Sequence, residues 1–379
     1  MRLWTAGCWL AAAAACWGAA RAEQPSPLSD RDVESIVARD PAPQIDHHNP
    51  DSLLSRILIP RVPGTENHAR VREVLIAALT SQKDASGNSK WHVATQPFDA
   101  HTPEGVRKMT NIIATRDPGA SRHLVLAAHY DSKFFPRGAM QKFVGATDSA
   151  VPCAVLVDVA LALEEHLDAH TAAQELYRSI HGTGDASNDV TLQLVFLDGE
   201  EAFHQWTVDD SVYGARQLAS TLASTWVTPN QTLLARHTTG RGAAMRAIQK
   251  IEHFVLLDLL GAPNPRVPYY FENTKWMHTR LQQIEARLAA MRALYPPGDG
   301  AKRMPILDAR KGPAGIGDDH LPFLEQGVPI LHLIPSPFPA VWHRLGDDAG
   351  ALDFAVVHAW AKLMRVFAAE MLHLTRPSP

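Results

Sequence analysis

Short, nearly unbroken apolar runs alternate with amphipathic stretches along most of this chain. The runs at Asn111–Thr115, His123–His129, Thr191–Leu197, Phe254–Leu260 and Pro329–Ile334 predict strands covered on both faces. Between and after them, helical spacing predicts helices at Ser149–Leu167, Ser211–Ala223, Thr274–Leu294 and Asp353–Leu372, with an earlier one at Val71–Leu79. In the last helix Val357, Trp360, Met364, Phe367 and Met371 fall on one stripe, which core packing explains without a cofactor. This alternation predicts an α/β fold: a mixed, mostly parallel central sheet between helices, in a single domain. His170–Val190 and Pro296–Asp318, rich in Gly, Pro and polar residues, read as irregular segments.

The ends divide differently. Arg2 precedes the apolar run Cys8–Cys16, and Ala20-Arg21-Ala22 closes it. That pattern predicts a secretory signal peptide over residues 1–22, with an uncleaved anchor as the alternative. Only the anchor would bring the protein to a membrane. Residues 23–50 are polar and proline-bearing and read as a loosely ordered lead-in, leaving 51–379 as the catalytic domain. Cys8 and Cys16 lie in the leader, so Cys153 has no internal disulfide partner after cleavage. Asn230-Gln231-Thr232 is a glycosylation sequon.

Composition narrows the function. The chain has 46% hydrophobic and 20% charged residues, which is globular. Its formal net charge is −4 and it has no dense basic run, so nothing suggests a phosphate-binding surface and no nucleic-acid partner is expected. A monomer is expected.

In α/β sheets, ligands bind beyond the carboxyl ends of the strands. His129-Tyr130-Asp131 ends one run and Asp198-Gly199-Glu200-Glu201 the next; Asp258 lies near the end of another, and His343 follows the last. Catalytic zinc takes imidazole nitrogen and carboxylate oxygen, with three protein ligands and one open position. His129, Asp148, Glu201, Asp258 and His343 form the available set. Singly, each acid is equally an end-of-strand cap; Asp148 would serve as the N-cap of the following helix. The Glu200-Glu201 pair is harder to explain, because adjacent like charges at an apolar strand end call for a cation or a proton.

Four blocks carry a family likeness. They are Phe143–Cys153 (FVGATDSAVPC), Phe196–Phe203 (FLDGEEAF) with Trp206, Asp258–Pro265 (DLLGAPNP), and Asp318–Phe323 with Gly327–His343 (GVPILHLIPSPFPAVWH). In this order, spanning about Arg56 to Leu374, the chain resembles the animal glutaminyl-peptide cyclotransferases, built on the zinc aminopeptidase fold. The resemblance implies one Zn2+ per chain, held by Asp148, Glu201 and His343, with Glu200 as the proton-transfer group. It implies that Asp258 and Asp318 form an acidic pair handling the substrate amine and departing ammonia. Trp206, Ile316, Phe338 and Trp342 would line the glutamine pocket, with the backbone at Gly317 touching substrate. The implied reaction converts N-terminal glutamine of peptides and proteins (glutamate more slowly) to pyroglutamate, in the secretory pathway, either secreted or in the Golgi lumen.

The chain also departs from these relatives. Ala128 stands where they commonly carry a cysteine able to bridge the one matching Cys153, and Gly317 where they often carry a polar side chain. Two rival readings use the same residues. A zinc exo-aminopeptidase would place a second ion on His129, Asp148 and Asp258. A binding ectodomain that has lost its zinc would show broken ligand positions, and none is broken here.

Overall fold

The computed structural model describes residues 24–181, 189–227 and 244–375. Its strands are β1 (His92–Thr102), β2 (Gly105–Thr115), β3 (Arg122–His129), β4 (Val190–Leu197), β5 (Trp226–Val227), β6 (Met245–Arg246), β7 (Ile251–Leu257), β8 (Val267–Tyr269), β9 (Leu307–Lys311) and β10 (Ile330–Leu333). Six of them form one sheet in the order β1-β2-β4-β3-β7-β10. β4, β3, β7 and β10 run parallel, whereas β1 and β2 join antiparallel at one edge. The helices are α1 (Asp30–Ala38), α2 (Ala42–Ile45), α3 (Leu53–Ile57), α4 (Glu66–Thr80), α5 (Val151–Ala162), α6 (Glu164–His181), α7 (Tyr213–Ser224), α8 (Lys275–Ala290), α9 (Leu321–Glu325) and α10 (Phe354–Met371).

Strand alternation sorts the core into two layers. In β3, Leu124 and Leu126 join the larger cluster with α5, α8 and α10, while Val125 and Ala127 face Leu218 of α7 and Phe323 of α9. The apolar stripe expected in α10 lies in that larger cluster, with Trp360 and Phe367 fully buried. Truncating either to alanine would cost about 3–5 kcal/mol. The Arg365 guanidinium of α10 makes a two-pronged pair with Asp158 of α5, at 2.7 and 2.6 Å, both groups buried.

Several expectations need correction. Residues 24–50 are not a loose lead-in. α1 buries Val33, Ile36 and Val37, α2 buries Ile45, and both contact α10. Three apolar positions at helical spacing suffice to dock a short helix, whatever its polar exterior. β1 shows no apolar run, because most of the residues of this edge strand are exposed. The helix expected at Ser149–Leu167 is divided. Asp148 and Ser149 take non-helical backbone angles before α5, and α6 begins at Glu164 and runs on to His181, into a stretch read as irregular. β9 occupies part of the second irregular stretch. The leader over 1–22 and the Asn230 sequon lie outside the described residues.

Candidate active site

The parallel strands end on one edge of the sheet, and the acidic and imidazole groups collect there. His129 is the last residue of β3, Glu200 and Glu201 follow β4, Asp258 follows β7, and His343 lies in the turn after β10. Asp148 comes from the kinked segment Ala146–Ala150 ahead of α5, and its side chain caps no helix. Gly145, at φ 63°, makes this kink possible, since a Cβ there would stand 2.1 Å from the Asp148 carbonyl oxygen. His343 sits at φ 54°, Leu259 at φ 56° and Val212 at φ 43°. Val212 is β-branched, and its amide donates to the Glu200 carbonyl at 2.9 Å. Strained backbone of this kind persists where surrounding structure over-determines it, and here it flanks the proposed proton carrier and one proposed ligand.

One oxygen of Asp148, one of Glu201 and one ring nitrogen of His343 lie within 4.8 Å of one another. His343 Nε2 is 3.4 Å from Asp148 Oδ2 and 3.3 Å from Glu201 Oε1. Both oxygens are buried and lack a hydrogen-bond partner. Buried carboxylate oxygens without partners are costly, and a cation at their meeting point removes that cost. Two carboxylates and an imidazole are a donor set for zinc. The residues therefore fit a metal ion.

A second trio shares Asp148: His129, Asp148 and Asp258 also meet the 4.8 Å condition. His129 Nε2 is 3.0 Å from Asp148 Oδ1 and 3.5 Å from Asp258 Oδ1. That Asp258 oxygen, however, already accepts from the Ser149 hydroxyl and from the Leu259 amide at 2.8 Å. Two donors occupy its two lone pairs.

Glu200 is held by its backbone. Asp131 accepts the amides of Glu200 and Glu201, at 3.1 and 3.3 Å, through its two oxygens. Burial pushes the Glu200 carboxyl well above the usual range, and the charges of Asp318, Glu201 and Asp319 push it further, against the pull of His129. Burial and Asp318 likewise raise Asp258. For His343, burial favours the neutral ring, but contacts with Asp148 and Glu201 win and lift it to about 9. With these contacts as the only partners the ring would hold its proton; a metal ion would replace that proton.

A cavity of about 460 Å³ opens above the trio. Asp148, Glu200, Glu201, Asp258 and His343 line it together with Trp206, Ile316, Gly317, Phe338 and Trp342. Trp342 stacks on the His343 ring with centroids 4.1 Å apart and meets Phe338 edge-on at 5.0 Å. Asp318 is different. It is fully buried behind the cavity wall and accepts from His332 Nε2 at 2.7 Å. It acts on Glu200 and Asp258 through charge.

Three neighbours escaped the sequence reading. Lys133 lines the cavity and its ammonium donates to Glu201 Oε2 at 3.2 Å. Ser149 and His332 hold Asp258 and Asp318 respectively. A lone lysine or serine carries no spacing signal, so only proximity reveals them. Asp198, by contrast, turns into the structure, where His68 and the Tyr130 hydroxyl each bond it at 2.9 Å.

Comparison with known proteins decides the family. A model described as peptidase family M28 matches residues 111–368. A glutaminyl-peptide cyclotransferase-like protein of Bos taurus is 41% identical over 333 residues, covering 87% of this chain and 77% of that protein. A glutaminyl-peptide cyclotransferase of Drosophila melanogaster is 41% identical over 325 residues, covering 84% and 79%. The chain belongs to the glutaminyl-peptide cyclotransferase family. The crystal structure of a Macrostomum lignano glutaminyl cyclase, at 31% identity, superposes with a TM-score of 0.72 over 94% of this chain and 97% of that one. The cyclotransferase fold is thus an M28 fold, a mixed sheet between helices in a single domain, as the alternation of apolar runs predicts.

Cys153 is buried and free, and its thiol donates to the His129 carbonyl at 3.1 Å. Ala128 is fully buried in β3.

Proposed function

We propose that this chain is a glutaminyl-peptide cyclotransferase that closes the N-terminal glutamine of peptides to pyroglutamate and releases ammonia. The observation that carries the reading is one cavity in which a protonatable Glu200 adjoins the Asp148, Glu201, His343 trio under a cover of Trp206, Phe338 and Trp342.

In the reaction the substrate α-amine attacks its own side-chain amide carbon. A C–N bond forms to that carbon, the bond to the amide nitrogen breaks, and one proton moves from the amine to the departing ammonia. Asp148, Glu201 and His343 would hold a single zinc, which supplies positive charge at the amide oxygen. Glu200 takes the amine proton and returns it to the leaving nitrogen, a task suited to a buried carboxyl raised well above its ordinary range. Asp258, fixed by Ser149 and Leu259, orients the amine at the cavity wall. Asp318 stays behind it and helps to keep Glu200 protonatable. Trp206, Phe338 and Trp342 give the cavity an apolar wall against which the glutamine side chain can pack. The protein acts as a monomer in the secretory pathway.

The M28 relationship leaves a two-ion exo-aminopeptidase as the second reading, with His129, Asp148 and Asp258 as the trio that would hold its second ion. Both readings meet in one assay. The purified protein is incubated with a glutamine-initiated peptide, with and without chelator, while ammonia, free amino acids and bound zinc are measured. Ammonia release lost with chelator and one zinc per chain support the cyclotransferase. Free amino acids with two ions per chain overturn it.

A further inference from the structure

We infer that Arg61 is a positioning residue for the metal centre, the clamp that shapes the loop presenting Asp148. This rests on Asp148 being a metal ligand. Arg61 lies between α3 and α4, far from the ligands in sequence, yet its side chain is buried beneath them. Its Nε donates to the Tyr130 carbonyl at 2.8 Å. Its Nη1 donates to the Val144 carbonyl, and its Nη2 to those of Gly145 and Asp148 at 3.0 and 3.2 Å. The Arg61 main chain is fixed in turn, its amide donating to Ser132 Oγ at 2.9 Å and its carbonyl accepting from the Ser132 amide at 3.3 Å.

Among the described residues, every hydrogen bond of this guanidinium ends on a backbone carbonyl, and it pairs with no carboxylate. A buried cation with no anion in contact is an expensive choice for stability alone. What it accomplishes is geometric. The loop leaves helical geometry at Asp148 and Ser149, and its Val144, Gly145 and Asp148 carbonyls turn toward the guanidinium, that of Gly145 also accepting from the Ala150 amide at 3.3 Å. A rigid planar fork gathers three such oxygens at fixed angles, which an ammonium cannot. The fourth oxygen, on Tyr130, ties the loop to the end of β3, next to His129. Asp148 is thus aimed from behind, through its own carbonyl. The loop has a second anchor, since the Thr147 amide donates to Asp347 Oδ1 at 2.8 Å.

The test compares Arg61→Lys, Arg61→Met and Ile36→Ala, the last a remote core change that lowers stability without touching the site. Zinc affinity and release rate are measured by competition with a chromogenic chelator, alongside melting temperature, kcat and KM. We expect both Arg61 variants to bind zinc ten- to a hundredfold more weakly, the size typical for groups behind metal ligands. Their kcat should fall and partly recover at saturating zinc. Ile36→Ala should melt earlier with zinc affinity unchanged. If Arg61→Met does not fold, Arg61→Lys alone decides the matter. Wild-type zinc affinity in the folded Arg61 variants overturns the inference. Full zinc affinity in Asp148→Ala would instead sink the site assignment beneath it.

Discussion

The indole Nε1 of Trp206 lies 2.9 Å from where a Cβ on residue 317 would stand, so Trp206 occupies space that only Gly317 leaves free. A contact that short forces movement, and Trp206, 44% exposed, is the partner able to move. Gly317→Ala and Gly317→Gln should therefore push the indole across the pocket mouth. Steady-state kinetics should show KM for glutamine peptides raised by about tenfold, the scale of one misplaced pocket contact, with kcat changed less. An unchanged KM would mean the two positions are not coupled in solution.

Glu200→Gln removes the proton carrier and keeps its shape. Turnover should drop by about 10²–10⁴-fold, the range for lost general acid–base catalysis, while zinc content stays at the wild-type level. Ammonia release and metal analysis on the same sample check this. Activity within tenfold of wild type would move the proton transfer to another group.

His358 of α10 is buried against Leu294, and burial lowers it to about 4. The folded protein therefore keeps this ring neutral while the unfolded chain binds a proton below its ordinary pKa of about 6.5. Stability from this residue is present above about pH 6.5 and is lost as pH falls toward 4. The loss should reach on the order of 1–2 kcal/mol by pH 5. The His358→Gln variant lacks this titration. Its melting temperature should approach that of wild type as pH falls from 7 to 5; a constant difference would show that the ring titrates alike in both states.

Ala128→Cys should bridge to Cys153 under oxidising conditions. Ala128 and Cys153 are both buried in the same cluster, on β3 and on α5 packed against it. The bridge should raise stability by about 2–4 kcal/mol, less the cost of the Cys153 bond to the His129 carbonyl. Melting with and without reductant measures the gain. Equal values would show that the helix and strand are spaced for a free thiol.

The central sheet was legible because β3, β4, β7 and β10 are buried on both faces and write that burial as continuous apolar runs. β1 was not, since most of its residues face solvent and show no such run, and α1 and α2 were missed because their few apolar contacts are diluted by polar neighbours. Trp206, Ile316, Gly317, Phe338 and Trp342 share one cavity. Asp318 alone stands behind it, because motif order records which residues are near the site and not which way each faces.

By itself, the sequence determined the layered α/β fold, the family, and the residue types at the strand ends, because periodicity and motif order are local properties that the chain states directly. Only the tertiary structure decided which oxygens meet. The trio of Asp148, Glu201 and His343, the engagement of Asp258 by Ser149, and the grip of Arg61 on the Asp148 loop each join residues from different elements. Such pairings depend on where parallel strands end in space and on how a kinked loop turns its carbonyls, and no spacing along the chain encodes either.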